Sequence, residues 1–129
     1  MFALCPLVWL LGLLLPGSLL AQEMEGTWRT QYTDPDGRFV VVILAVADGR
    51  YTIDYGQDDE IDVTGRYQIE GQQVTLWDES GKPGLACPEA RGRYQLHATR
   101  EQLRLTRIED ACPNRGGRDG VIAFVRVRQ

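Results

Sequence analysis

The sequence predicts an all-β chain, an eight-stranded antiparallel up-and-down barrel with one disulfide. Three observations lead there. Apolar and polar residues alternate with period two over much of the chain, tight-turn residues interrupt the alternation at short intervals, and no segment carries a convincing helical period. Short strands joined mostly by hairpins build either a barrel or a sandwich, and the barrel is the expected form.

The strands are expected at 26–33, 38–47, 50–56, 60–70, 72–78, 92–100, 102–109 and 120–128. Alternation is unbroken from Ile61 to Glu70, with Ile61, Val63, Gly65, Tyr67 and Ile69 on one face and polar residues on the other. The same pattern turns Tyr51, Ile53 and Tyr55 inward, then Val74 and Leu76, then Tyr94, Leu96 and Ala98, then Leu103 and Leu105. It continues in the last strand, with Val121, Ala123, Val125 and Val127 on one face. Phe39 to Val46 is apolar on both phases, as in a strand covered on both sides. Asp34-Pro35-Asp36-Gly37, Asp48-Gly49 and Glu70-Gly71 suit tight reversals. An internal echo relates Gly65-Arg66-Tyr67-Gln68-Ile69 to Gly92-Arg93-Tyr94-Gln95-Leu96, and each of these hairpins ends in Ala-Cys-Pro, at 86–88 and 111–113.

Residues 1–21 hold no charge and are rich in Leu, which reads as a secretory signal peptide cut after Ala21, leaving a barrel domain at 22–129. The segment lacks an early Lys or Arg and is long enough to remain as an uncleaved anchor instead. Cys5 is too early, and position 22 is Gln, for a lipoprotein. Localisation is therefore expected to be periplasmic or extracellular. The net charge of −4 falls wholly in residues 22–129 and argues against a nucleic-acid partner.

In a meander, successive connections alternate between the two ends of the barrel. The even connections are tight, whereas the odd ones, 34–37, 57–59, 79–91 and 110–119, include two long segments. Cys87 lies in the fifth connection and Cys112 in the seventh, so both fall at one end and are expected to pair in an oxidising compartment. Two cysteines and the single His97 are too few for a metal site of their own.

Gly26-Thr27-Trp28 opening the first strand, eight strands, and long loops gathered at one end resemble the calycin barrels, chiefly lipocalins. That resemblance implies a closed end at Trp28, with an Arg of the last strand lying over it, Arg126 first and Arg128 second, and a ligand cavity at the opposite end. The sequence from 22 to 129 is short for a lipocalin, and the helix that usually follows the eighth strand in that family is not expected within it. The paired hairpins with Ala-Cys-Pro also look like small, uncharacterised bacterial secreted proteins described as lipocalin-like.

Five tyrosines, Tyr32, Tyr51, Tyr55, Tyr67 and Tyr94, share the inward phase and are candidates to line a pocket; equally, they could simply fill the core. Trp77 is on the polar phase, either an exposed anchor for a ligand or partner or a ring packed under its neighbouring loop. Asp58-Asp59-Glu60, with Asp54 and Asp62, could collect calcium or form a solvated hairpin tip. Arg115-Gly116-Gly117-Arg118 could read an acidic group or be a plain loop. His97 has no identifiable triad partner and no Gly-rich strand-to-helix turn exists for phosphate, so neither catalysis nor a cofactor is expected.

The expected function is an exported binding protein for a small, partly apolar molecule. The alternative is an inhibitor or adaptor that presents loops 79–91 and 110–119 to a protein partner over a filled core. An open cavity of about 300 Å³ or more separates the two.

Overall fold

A computed structural model describes residues 19–113, 115–117 and 119–128. The strands run β1 (Gly26–Thr33), β2 (Phe39–Ala47), β3 (Arg50–Tyr55), β4 (Val63–Glu70), β5 (Gln73–Gly81), β6 (Arg91–Ala98), β7 (Gln102–Asp110) and β8 (Val121–Arg126). Each pairs antiparallel with its sequence neighbour, and β8 returns to β1, so the meander closes into a barrel. Alternation is what makes closure possible, since every strand turns an apolar row inward. Leu44 and Val46 meet Tyr51, Leu76, Tyr94, Leu96, Leu103, Leu105 and Phe124 in one core, and Val42 is buried on the same row.

The expected strands are all present, with three differences of substance. β4 begins at Val63, because Asp62 gives its N–H to Ile53 and takes the Tyr55 N–H on its carboxylate, which bends the chain into the preceding loop. β5 runs on to Gly81, paired with Val63 across a bulge between Thr64 and Gly65. In β8 the row of Val121, Ala123 and Val125 is the outer one, and Ile122, Phe124 and Arg126 face inward. Every position from Val121 to Val125 is apolar, so alternation there carries no sign of which phase is buried.

A short helix, α1 (Leu19–Met24), precedes β1 and was not expected from the sequence. Its Met24 is buried at the base of the barrel and its Leu20 packs on the core. Among the described residues no helix is long and apolar enough to cross a membrane.

The tight turns 48–49, 71–72 and 99–101 share the base with α1, and the four longer connections gather at the other end. There Cys87 and Cys112 are bonded, with Cα atoms 5.9 Å apart. Replacing both cysteines by serine is expected to cost about 3–4 kcal/mol, the loop-closure value for a 25-residue separation. Urea denaturation checks this; an unchanged midpoint would contradict it.

Candidate functional site

A cavity of about 960 Å³ enters the barrel from the long-loop end. Its depth is apolar, walled by Val42, Leu44, Ile53, Leu76, Leu105 and Phe124, with Met24 also in the wall. Tyr51 and Tyr55 line it, Tyr32 stands at its rim with 45% of its surface exposed, and Gly84, Leu85, Pro113, Arg115 and Gly116 come from the disulfide-linked loops. The remaining candidate tyrosines stand elsewhere. Tyr67 is buried near the base, its N–H given to the Gly49 carbonyl at 3.0 Å, and Tyr94 is fully buried behind the wall.

The cavity also reaches the side of the barrel. Above Trp28↔Arg126 and Arg29↔Val125 there is no further register between β1 and β8, and residues from both sides of this seam, Thr30 to Thr33 and Val121 to Phe124, line the cavity. Gln31, Thr33, Val121 and Ala123 belong to the outward rows, so the opening is lateral as well as axial.

A buried polar cluster holds the loops over this opening. Tyr51 donates its hydroxyl to Asp78 Oδ1 at 2.5 Å, and Cys87 N–H donates to Asp78 Oδ2 at 2.8 Å. The arrangement repeats one hairpin later, where the Tyr94 hydroxyl donates to Asp110 Oδ2 and Cys112 N–H donates to Asp110 Oδ1 at 2.9 Å. The two glycines of the sequence echo make room for these pairs. A Cβ on Gly65 would overlap the Tyr51 phenol, and one on Gly92 would overlap the Asp110 carboxylate.

Arg115 joins the two halves. Its Nε and Nη2 donate to Asp110 at 2.7 and 2.9 Å, Nη2 also donates to the Ala90 carbonyl at 2.5 Å, and Nη1 lies 3.5 Å from Asp78 Oδ2. The side chain is only 9% exposed. Beside it, Arg107 holds the Arg115 and Gly117 carbonyls at 3.1 and 3.0 Å. Desolvation alone would raise the Asp110 carboxyl, but Arg115, Tyr94 and the Cys112 N–H together hold it below its ordinary value. The same carboxylates keep the Arg115 guanidinium firmly charged despite burial.

Burial pushes the Tyr55 phenol up to about 12, helped by Tyr32, Asp78 and Asp62, and pushes Tyr94 up to about 12, helped by Asp110. Tyr51 is raised further still, by burial and then by Asp78. A raised folded-state value means stability that is complete below the ordinary tyrosine value of 10.0 and is lost as pH climbs from there toward 12. An absorbance titration of tyrosinate should therefore find these three groups still protonated past pH 10, with their ionisation tied to alkaline unfolding. Five tyrosines ionising together near 10 in folded protein would contradict it.

The other candidates fall outside the cavity wall. Trp77 is half-buried on the outer face, beside Arg66 and Arg91 in register, with the Arg91 guanidinium 4.6 Å from its ring centre. His97 is exposed on the outer face opposite Arg104. Carboxylate oxygens of Asp54, Asp58 and Asp62 lie within 4.8 Å of one another. Those of Asp54 accept the N–H groups of Asp58 and Asp59, and Asp62 holds the Lys82 ammonium at 2.7 Å, so this cluster is committed to its own loop. Arg115 is turned inward onto Asp78 and Asp110, and Arg118 lies outside the described residues.

At the base, Arg126 lies over the Trp28 ring at 4.2 Å and donates to the carbonyls of Glu23, Glu25 and Arg100. Arg128 pairs with Glu101 at the surface. A second cleft, of about 490 Å³, lies here among Arg100, Glu101, Gln102, Val125, Arg126 and Arg128.

Sequence reasoning missed Asp78, Asp110 and the joining role of Arg115. Asp78 falls on the inward phase after Val74 and Leu76, and a charge on that phase was the available signal. Asp110 gave none, because the β6–β7 register shift at Arg93/Tyr94 brings it in line with Gly92.

Comparison with protein-family models, with curated proteins and with solved structures finds no match.

Proposed function

We propose that the chain is an exported, non-enzymatic barrel, similar in plan to lipocalins, that binds a small, partly apolar molecule. The observation that carries this reading is the cavity of about 960 Å³, well above the size needed for a small ligand, with apolar depth and a few convergent polar groups at its mouth. A disulfide fits an oxidising compartment, and the uncharged residues 1–21 fit a leader to it. The lipocalin comparison draws support from the Arg126–Trp28 stack at the closed end. The adaptor alternative receives less support, because the disulfide-linked loops are bound inward through Asp78, Asp110 and Arg115 and the barrel is not filled.

Native mass spectrometry of protein purified from its own host tests the proposal. The expected spectrum carries a small-molecule adduct that is lost on unfolding. Protein of bare mass that also takes up no apolar compound added afterwards would overturn the reading.

A further inference from the structure

We propose that the molecule bound in the barrel is a cationic amphiphile, with its apolar part in the depth and its positive group at the tyrosine-lined mouth. The inference rests on the binding reading above and adds the sign of the ligand's charge.

The first observation is where the charge sits. The loop between β1 and β2 carries Asp34 and Asp36 against Arg38. The turn between β3 and β4 carries Asp58, Asp59 and Glu60, flanked by buried Asp54 and Asp62, against Lys82. Seven carboxylates thus face two cations on this part of the rim, while the whole chain has a formal charge of only −4. Negative charge is concentrated at the end of the barrel where the cavity opens, with Asp34 in the lining itself and the others on the adjoining loops. A low-dielectric cleft focuses such a field on what enters it.

The second observation is that the cations near the cavity are already engaged. Arg115 is held by Asp110 and Asp78, and Arg107 is held by backbone carbonyls. With Asp78 and Asp110 they form a cluster of no net formal charge, in which Arg107 Nε and Arg115 Nη1 are buried and have no hydrogen-bond partner among the described residues. The net field of the cluster, not a lack of donors, therefore disfavours an incoming carboxylate or phosphate. Arg118 is the further cation of that segment and lies outside the described residues.

The third observation is the aromatic surface. Tyr32 and Tyr55 line the mouth, and neither hydroxyl takes part in a described hydrogen bond. Their ring faces attract an ammonium group through the quadrupole, most strongly where water is partly excluded. Burial keeps Tyr55 neutral, and the carboxylates of Asp78 and Asp62 outweigh Arg115 in the field at its hydroxyl. Below this level the walls are Val42, Leu44, Leu76, Leu105 and Phe124, which suit an alkyl or aryl body.

Isothermal titration calorimetry with decyltrimethylammonium, decanol and decanoate, each below its micelle concentration, separates the possibilities at constant chain length. The ammonium compound is expected to bind about tenfold more tightly than the alcohol, and the carboxylate more weakly than either. Raising ionic strength from about 0.01 M to about 1 M, which shortens the screening length from ~30 to ~3 Å, should remove most of the ammonium's advantage and leave the alcohol unchanged. The Asp36→Asn/Asp59→Asn variant removes two exposed rim charges that no described hydrogen bond uses, and should weaken the ammonium alone by about threefold. Alcohol or carboxylate binding as tightly as the ammonium overturns the charge assignment and leaves the binding reading standing. Binding of none of the three overturns both.

Discussion

Replacing Arg115 by alanine is expected to destabilise the protein by about 3–5 kcal/mol, the usual cost of removing one partner of a buried ion pair. The side chain sits between Asp110, which has no exposed side-chain surface, and nearly buried Asp78. Its loss would leave two carboxylates in the barrel mouth facing only the Tyr51 and Tyr94 hydroxyls and the cysteine N–H groups. The pH dependence should reverse as well. In the native protein the Asp110 carboxyl is held below 3.8, so its contribution is complete above that value and is lost as pH falls through the lower folded-state value. Without Arg115 burial dominates and the carboxyl is raised. The variant should then gain stability as pH is lowered toward 4, where the native protein gains none from this group. Urea unfolding across an acid pH series measures both slopes. A further Asp78→Asn/Asp110→Asn exchange should return part of the lost stability, since residues in contact are not additive. A cost below about 1 kcal/mol, typical of surface pairs, would mean that the cluster does not hold the mouth.

The second large effect is expected at the base. Trp28 is fully buried, donates Nε1–H to the Met24 carbonyl at 2.9 Å, and carries the Arg126 guanidinium on its face at 4.2 Å. Trp28→Ala should cost about 3–5 kcal/mol through lost packing. Arg126 uses its planar fork to collect carbonyls from the α1 end and from the 99–101 turn while stacking on the indole. Lysine keeps the charge but not the fork or the stack, so Arg126→Lys should destabilise by about 1–2 kcal/mol. The double variant should be non-additive by at least about 0.5 kcal/mol. Additive losses in thermal or chemical unfolding would count against a closed end built on this contact.

How much of this was legible in the sequence depends on whether a residue's phase had a polar counterpart. From Val63 to Glu70 each inward residue alternates with a polar one and the strand lies as read. Before it the order is reversed: Ile61, read as inward, is 51% exposed, and Asp62, read as outward, is buried by its bonds to Ile53 and Tyr55. In β8 the same rule has nothing to work on, because Ile122 and Phe124 are as apolar as Val121 and Val125. Helix α1 was hidden for a related reason, since Leu19 to Ala21 continues the uncharged, Leu-rich sequence before it, and only in three dimensions do Met24 and Leu20 show their place against the core. The cysteine pair followed from counting barrel ends. The aspartates that receive the cysteine N–H groups did not, because Asp78 precedes Cys87 by nine residues and Asp110 precedes Cys112 by two. The equivalence of the two halves is spatial and depends on a bulge that leaves no mark in the sequence. Of the five tyrosines placed inward, Tyr32, Tyr51 and Tyr55 line the cavity, whereas Tyr67 sits near the base and Tyr94 behind the wall. A period-two pattern gives the face of a strand but not the height along the barrel.

The central claim is that the barrel holds a small molecule in its interior, and the most direct measurement is a titration with the neutral fluorophore N-phenyl-1-naphthylamine, compared between the native chain and Val42→Trp. Val42 is buried in the cavity wall, so an indole there should occupy much of the space. The native protein should bind one fluorophore with enhanced emission. The variant should lose at least about tenfold in affinity, a difference of ~1.4 kcal/mol, while its circular dichroism and disulfide remain native. A native protein that does not bind, or a folded Val42→Trp variant that binds as tightly as the native chain, would contradict the claim.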